Sequence, residues 1–241
     1  MLALPASARV ATWLNAWLQS RASADAVIAG VLGTHVNVVF DGLAPERLTP
    51  ALLLGALRRT GVSQVTVALP APGDPVGLAG PVHFNVDAHE AGEAVVLRGA
   101  GLGLVPHVVG AATLWHAHPA DPPAYLPDVA GADRELRHAL RGAADELARL
   151  DVAAWGPEIA DDLLDLRAPV SYEGEATFAS AEAARTAAAA LRASTIVSMA
   201  TRDEGGALSA SEASARRDAL VPLGRAARRA IVAACSSLDG R

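Results

Sequence analysis

The sequence contains no lysine; all 20 basic residues are arginine. That absence excludes Schiff-base chemistry, whether with pyridoxal phosphate or of the aldolase type. It also removes the lysine that a P-loop nucleotide site or a protein kinase requires. Cys235 is the single cysteine, so an intramolecular disulfide and a multi-thiolate zinc ribbon are both impossible. Aromatic residues make up 4% of the chain, and none interleaves with the arginines as in nucleic-acid-binding surfaces. There is no apolar run of the ~20 residues a membrane span needs. The N-terminus lacks the charged-then-apolar order of a secretory signal, and a cytoplasmic location is expected.

What is present is enough for a packed core: 241 residues, 51% hydrophobic and 19% charged. The net charge of −6 is unevenly spread. Residues 1–130 carry 6 Arg against 9 acids, residues 131–204 carry 8 against 14, and residues 205–241 carry 6 against 3. Only the last segment is basic, through Arg216, Arg217, Arg225, Arg228 and Arg229. On an acidic chain these are expected to be solvated or paired with the chain's own acidic middle, so nucleic acid is not the expected partner.

The apolar positions Val10, Trp13, Leu14, Trp17 and Leu18 follow helical spacing after Pro5, and the absence of a basic stripe points to core packing rather than to a membrane surface. A short helix from Ser23 leads into the strand "THVNVVF". Thr49 and Pro50 then start a helix in which Leu52, Leu53 and Leu57 are expected to face inward, with Gly61 closing it. "SQVTVALP" reads as a second strand, placed parallel to 35–40 by a crossover. The Pro/Gly-rich stretch 70–81 is a long connection of the kind that often carries function. "EAVVLRG", "LGLVPHVV" and "ATLWHAH" read as three further strands joined by Gly-rich turns. The glycines of "RGAGLGLVP" do not open a helix and so fit a hairpin using positive φ, not a dinucleotide fingerprint.

Four prolines within 119–127 mark a linker. Beyond it every pattern is helical: Gly131–Leu150, about Glu158–Arg167, Ser180 to about Thr201, and a final pair opened by the capping-box spacing of Ser209 and Glu212 and divided near Pro222. The expected architecture is therefore α+β. A mixed, largely antiparallel sheet with flanking helices occupies residues 1–118, a Pro-rich linker 119–130, and an all-helical part 131–241.

Five of the seven histidines, His83, His89, His107, His116 and His118, lie within 36 residues beside Asp74, Asp87 and Glu90. Histidine and carboxylate suit a divalent metal, and His-x-His on a strand projects both imidazoles to one side. His83, Asp87, His89, His116 and His118 are thus candidate metal ligands, and Asp74, His83 and Asn85 candidate ligand-binding residues. A three-residue hairpin loop at 110–112 would put His107 on the face opposite His116 and His118, and a one-residue register change reverses that. "VHFNVDAHE" itself forks. As a strand it aligns four polar groups; as a short helix capped by Asn85 and stopped by Gly92, the expected form, it scatters them. "DDLLD" at 161–165 resembles the Asp-rich Mg²⁺ motif of trans-isoprenyl diphosphate synthases over five residues, without the second acidic motif of those enzymes.

The stretch "PGDPVGLAGPVHFN…AGEAVVL" resembles an uncharacterised group of proteins from high-GC, actinobacterial-type bacteria, and that resemblance implies no activity. With no complete catalytic signature, the expected role is a non-enzymatic binding or regulatory protein that meets a protein partner or small ligand through residues 70–92 and the helical half. The alternative is a metal-dependent hydrolase using the histidine/carboxylate set.

Overall fold

The computed structural model describes residues 3–149, 175–202 and 210–238. Five strands, β1 (Asn37–Asp41), β2 (Gln64–Ala68), β3 (Ala94–Arg98), β4 (Leu102–Val109) and β5 (Ala112–Pro119), form one mixed sheet in the order β1-β5-β4-β3-β2. Only β1 and β5 run parallel. Around the sheet lie α1 (Ala6–Leu18), α2 (Ala24–Leu32), α3 (Pro50–Arg59) and α4 (Val82–Ala91). Among the described residues helices alone follow it: α5 (Val129–Arg149), α6 (Ala181–Arg202) and α7 (Ala210–Ser236), with a 3₁₀ turn at Glu175–Thr177. The fold is α+β, with the sheet confined to the N-terminal half.

Three caps form where the sequence places them. Ser23 accepts from the Ala26 amide, Thr49 from Leu52 and Ser180 from Ala183. Each thereby satisfies a donor that a helix start leaves open. Trp17 is buried in the main core, with the Arg58 guanidinium 4.5 Å above its ring, and the Trp13 indole lies where a side chain on Gly30 of α2 would otherwise project. The tryptophan helix is a core helix. Leu52, expected inward, is 58% exposed, and Leu53, Leu54 and Leu57 form the buried stripe instead.

Two corrections concern order and continuity. The strands at 35–40 and 64–69 are not parallel neighbours; β1 and β2 are the opposite edges of the sheet and run in opposite directions. Chain-consecutive pairing runs from β2 through β5, and β1 joins at the far end beside β5. The expected final helix pair is one helix through Pro222. Pro222 and Asp218, whose carbonyl loses its i+4 partner, both face solvent, where water can satisfy that carbonyl. Ser209, the Glu158–Arg167 helix and "DDLLD" lie outside the described residues.

Register divides the sheet into two unlike faces. Val38, Phe40, Trp115, Leu104, Val95, Leu97, Val65 and Val67 share one face and pack into a core cluster that continues through α1, α3, α5, α6 and α7. Phe40 and Trp115 stack at 6.1 Å. The other face is covered by α4 over its β3–β4 half, where Phe84 and Ala88 meet Ala94, Val96 and Val105.

The β2 edge is sealed by side chains rather than by another strand. Asn15 of α1 donates Nδ2–H to the Val65 carbonyl at 2.8 Å and accepts from the Val65 amide at 2.8 Å, while Ser236 Oγ accepts from the Val67 amide. An edge strand without such partners would be an aggregation template. Asn15→Ala removes the side-chain partner of both Val65 backbone groups and of the Cys235 carbonyl, and is expected to cost about 1–3 kcal/mol. Urea denaturation reads the loss, and hydrogen exchange should speed first at the Val65 amide.

Candidate functional site

Residues 82–91 are helical, so the polar groups of "VHFNVDAHE" are scattered. The cap differs from the expectation. Pro81 holds the N-cap position and Asn85 lies inside the helix, its amide donating to the Pro81 carbonyl, because burial of Phe84 and Ala88 at i, i+4 spacing sets the helix phase. Gly92 ends the helix in the left-handed region at φ 74°. His83 and His89 are exposed, and the Asn85 Oδ1 is buried without a partner among the described residues.

The β4–β5 turn has two residues, Gly110 and Ala111, instead of three. It pairs His107 with Leu114, so His107 shares the face of His116 and His118. Gly110 at φ +60° makes the tighter turn possible. The rings of His107 and His116 meet edge to face at 5.0 Å. His116 Nδ1 lies 3.8 Å from Asp41, and His118 Nε2 lies 3.5 Å from Asp87. The five proposed metal ligands are therefore distributed as separate couples and two exposed imidazoles. Among the described residues no group of three or more His, Cys, Asp or Glu is placed to hold a metal ion. The hydrolase reading has no support in this geometry.

Burial lowers the His116 pKa from 6.5, the neighbouring His107 lowers it further, and Asp41 opposes both. A folded pKa below the unfolded value means that the native state binds fewer protons. This group therefore costs no stability above the ordinary imidazole range and destabilises progressively as pH falls through 6.5 toward the folded value. The His116 ring is expected to titrate below 6.5 by NMR, with His107→Gln moving the midpoint up and Asp41→Asn moving it down.

The other polar assembly joins the 70–81 loop to α7. Asp74 is 2% exposed and carries three guanidiniums: Arg229 at 3.0 Å, Arg228 at 3.2 Å and Arg225 at 3.9 Å. The spacing 225, 228, 229 puts the three on one helix face, and the Ala71–Asp74 bridge turns the loop so that its carboxylate meets them. One carboxylate against three cations leaves local positive charge. Arg228 remains 29% exposed, and its Nε is buried with no hydrogen-bond partner among the described residues.

Arg228 also lines a cleft of about 490 Å³ between α6, α7, the chain start and the α4–β3 junction. Ser194, Thr195 and Ser198 of α6 contribute hydroxyls, and Leu4, Leu191 and Ile231 contribute apolar walls. Glu93 also lines it and accepts from the Ser7 amide at 2.7 Å. Asp74, a candidate ligand-binding residue in the sequence, holds the three arginines with its carboxylate. The arginine spacing was a visible signal; nothing in the sequence marked the α6 hydroxyls or Glu93. Cys235 is buried, and burial pushes its thiol pKa far up, as for a structural residue.

No solved structure matches the chain. Among relatives, "Uncharacterized protein MAV321" of Mycobacterium avium is 30% identical over 199 residues, covering 64% of this chain and 65% of that protein. "Uncharacterized protein Rv1486c" of Mycobacterium tuberculosis is 35% identical over 124 residues, covering 42% and 43%. The chain thus spans less than two thirds of the length of these curated relatives. These homologues come from mycobacteria, high-GC actinobacteria, and carry no assigned function. Family models described as the N-terminal and C-terminal domains of the Rv1486c-like protein match residues 7–129 and 130–232, so the chain belongs to the Rv1486c-like family.

Proposed function

We propose that the protein is a non-enzymatic binding protein that receives a small ligand where the region around residues 70–92 meets the helical half, with the cytoplasm as its working compartment. One observation carries this reading: Arg228, oriented by the loop residue Asp74, lines the 490 Å³ cleft beside three hydroxyl-bearing residues. A cleft of this size with apolar walls and a few converging polar groups is the usual form of a small-molecule site. Among the described residues its lining includes no histidine or cysteine, and the one carboxylate among them, Glu93, is engaged by the Ser7 amide. The groups on offer recognise; none is set up as a nucleophile with a base. Asp74 positions the arginines.

The test is native mass spectrometry of protein recovered from an actinobacterial host, alongside Ser194→Trp, which fills the cleft. A small-molecule adduct on the wild type that Ser194→Trp lacks is the expected result. Identical adduct-free masses for both, with no thermal shift of the wild type by any member of an acid, alcohol and amine panel, overturn the reading.

A further inference from the structure

We infer that the ligand of this cleft is an organic acid bearing a single negative charge and an apolar body, its carboxylate seated on Arg228 and its body against Leu4, Leu191 and Ile231. The inference rests on the cleft being a binding site and adds the chemistry that fills it.

Four observations point to that class. The cluster at Asp74 has three guanidiniums for one carboxylate, so two positive charges are unmatched within it. Of the three arginines, Arg228 is the one that lines the cleft, and its Nε lacks a hydrogen-bond partner among the described residues, which leaves donor capacity on a group already partly desolvated. A guanidinium meets a carboxylate through two parallel N–H donors, and such charge-assisted bonds are about twice as strong as neutral ones. Asp74 engages one Nη of Arg228 and so fixes the plane of its fork.

Second, α6 supplies Ser194, Thr195 and Ser198 to the same cleft. The Thr195 hydroxyl donates to the Leu191 carbonyl, which leaves its oxygen lone pairs as acceptors and fixes its rotamer. Third, Glu93 limits the charge of the guest. A dianionic phosphate would meet this carboxylate within the same cleft, whereas a monoanion anchored at Arg228 can keep its neutral end toward it. Fourth, the apolar walls would be wasted on a small inorganic anion: burying an alkyl body contributes about 25 cal/mol per Å².

Isothermal calorimetry with octanoate, 1-octanol, octylammonium and octyl phosphate separates the terms, because the four share one tail. Wild type is expected to bind octanoate at least about tenfold more tightly than 1-octanol, the scale of one charge-assisted pair. In Arg228→Gln that preference should fall to about threefold or less, with the circular dichroism spectrum retained. Should Arg228→Gln not fold, Arg228→Gln/Asp74→Asn removes the buried carboxylate along with its partner and serves for the same comparison. Octyl phosphate should bind more weakly than octanoate to wild type and gain on Glu93→Gln, which keeps an acceptor for the Ser7 amide.

If 1-octanol or octylammonium binds as tightly as octanoate, the acid assignment is overturned while the cleft stands as a binding site. If octyl phosphate binds tightest, the guest is a phosphate and the single-charge argument fails. If none of the four binds, the acid assignment fails; the binding reading itself fails only when the native mass spectra of wild type and Ser194→Trp are also identical.

Discussion

Phe84→Ala is expected to destabilise the protein by about 3–5 kcal/mol, because the ring is fully buried and its removal leaves a cavity lined by groups that relax only partly. The ring closes the small core between α4 and the sheet, where Ala68, Ala88, Ala94 and Ala120 supply little volume of their own. Beneath it lies Gly103 of β4. A Cβ there would come within 2.5 Å of the Phe84 ring and 2.9 Å of Ala120. Gly103→Ala therefore overpacks the site, at about 1–3 kcal/mol. The two substitutions should not add: in a Phe84→Leu background the new methyl enters space the ring has vacated, and the cost of Gly103→Ala should shrink. Chemical denaturation of the four proteins checks this. Strict additivity would mean that α4 does not pack on β4 through this contact. The destabilised variant should also lose hydrogen-exchange protection along α4 before the main core opens.

This contact explains why the sequence was legible here only in part. The three glycines of "RGAGLGLVP" all read as turn residues, and two are: Gly99 at φ 95° and Gly101 at φ 65°. Gly103 has ordinary strand geometry and is small for a tertiary reason, the ring of a residue 19 positions earlier, which no local pattern reports. Helical periodicity and capping residues located most elements, because those signals are local. Register was less accessible. A turn one residue shorter moved His107 onto the face of His116, and the parallel placement of β1 beside β5 has no signal in either strand. The histidine cluster was the loudest compositional feature, and its members nevertheless lie apart, His116 and His118 each beside a different aspartate and His83 and His89 exposed. The cleft was almost silent, for its hydroxyls and Glu93 are ordinary surface residues until α6, α7 and the α4–β3 junction meet. The basic C-terminal segment was visible as a charge imbalance. Among the described residues, three of its arginines, Arg225, Arg228 and Arg229, meet Asp74, in the Pro/Gly-rich loop about 150 positions away.

That long-range pairing carries the other large effect. Arg228→Gln/Arg229→Gln is expected to cost about 3–5 kcal/mol, since it leaves a 2%-exposed carboxylate with only Arg225 at 3.9 Å. For a chain of this size that corresponds to a fall in Tm of about 10 °C. Asp74→Asn alone should be milder, about 1–3 kcal/mol, because the three arginines are 29–50% exposed and can recover water that the buried acid cannot. The sign of the coupling is the decisive measurement. Adding Asp74→Asn to the double arginine variant removes the uncompensated charge and should restore stability, although it is destabilising in the wild-type background. A third loss in place of a gain would show that Asp74 contributes through the loop's shape instead of its charge. A double variant as stable as wild type would mean that the loop swings its carboxylate into solvent at little cost, and then Asp74 could not hold Arg228 in the cleft. Hydrogen exchange distinguishes these outcomes by place. Loss of the ion cluster should loosen the amides around 69–78, including that of Leu69, which donates to the Val76 carbonyl, and leave the β4–β5 ladder protected.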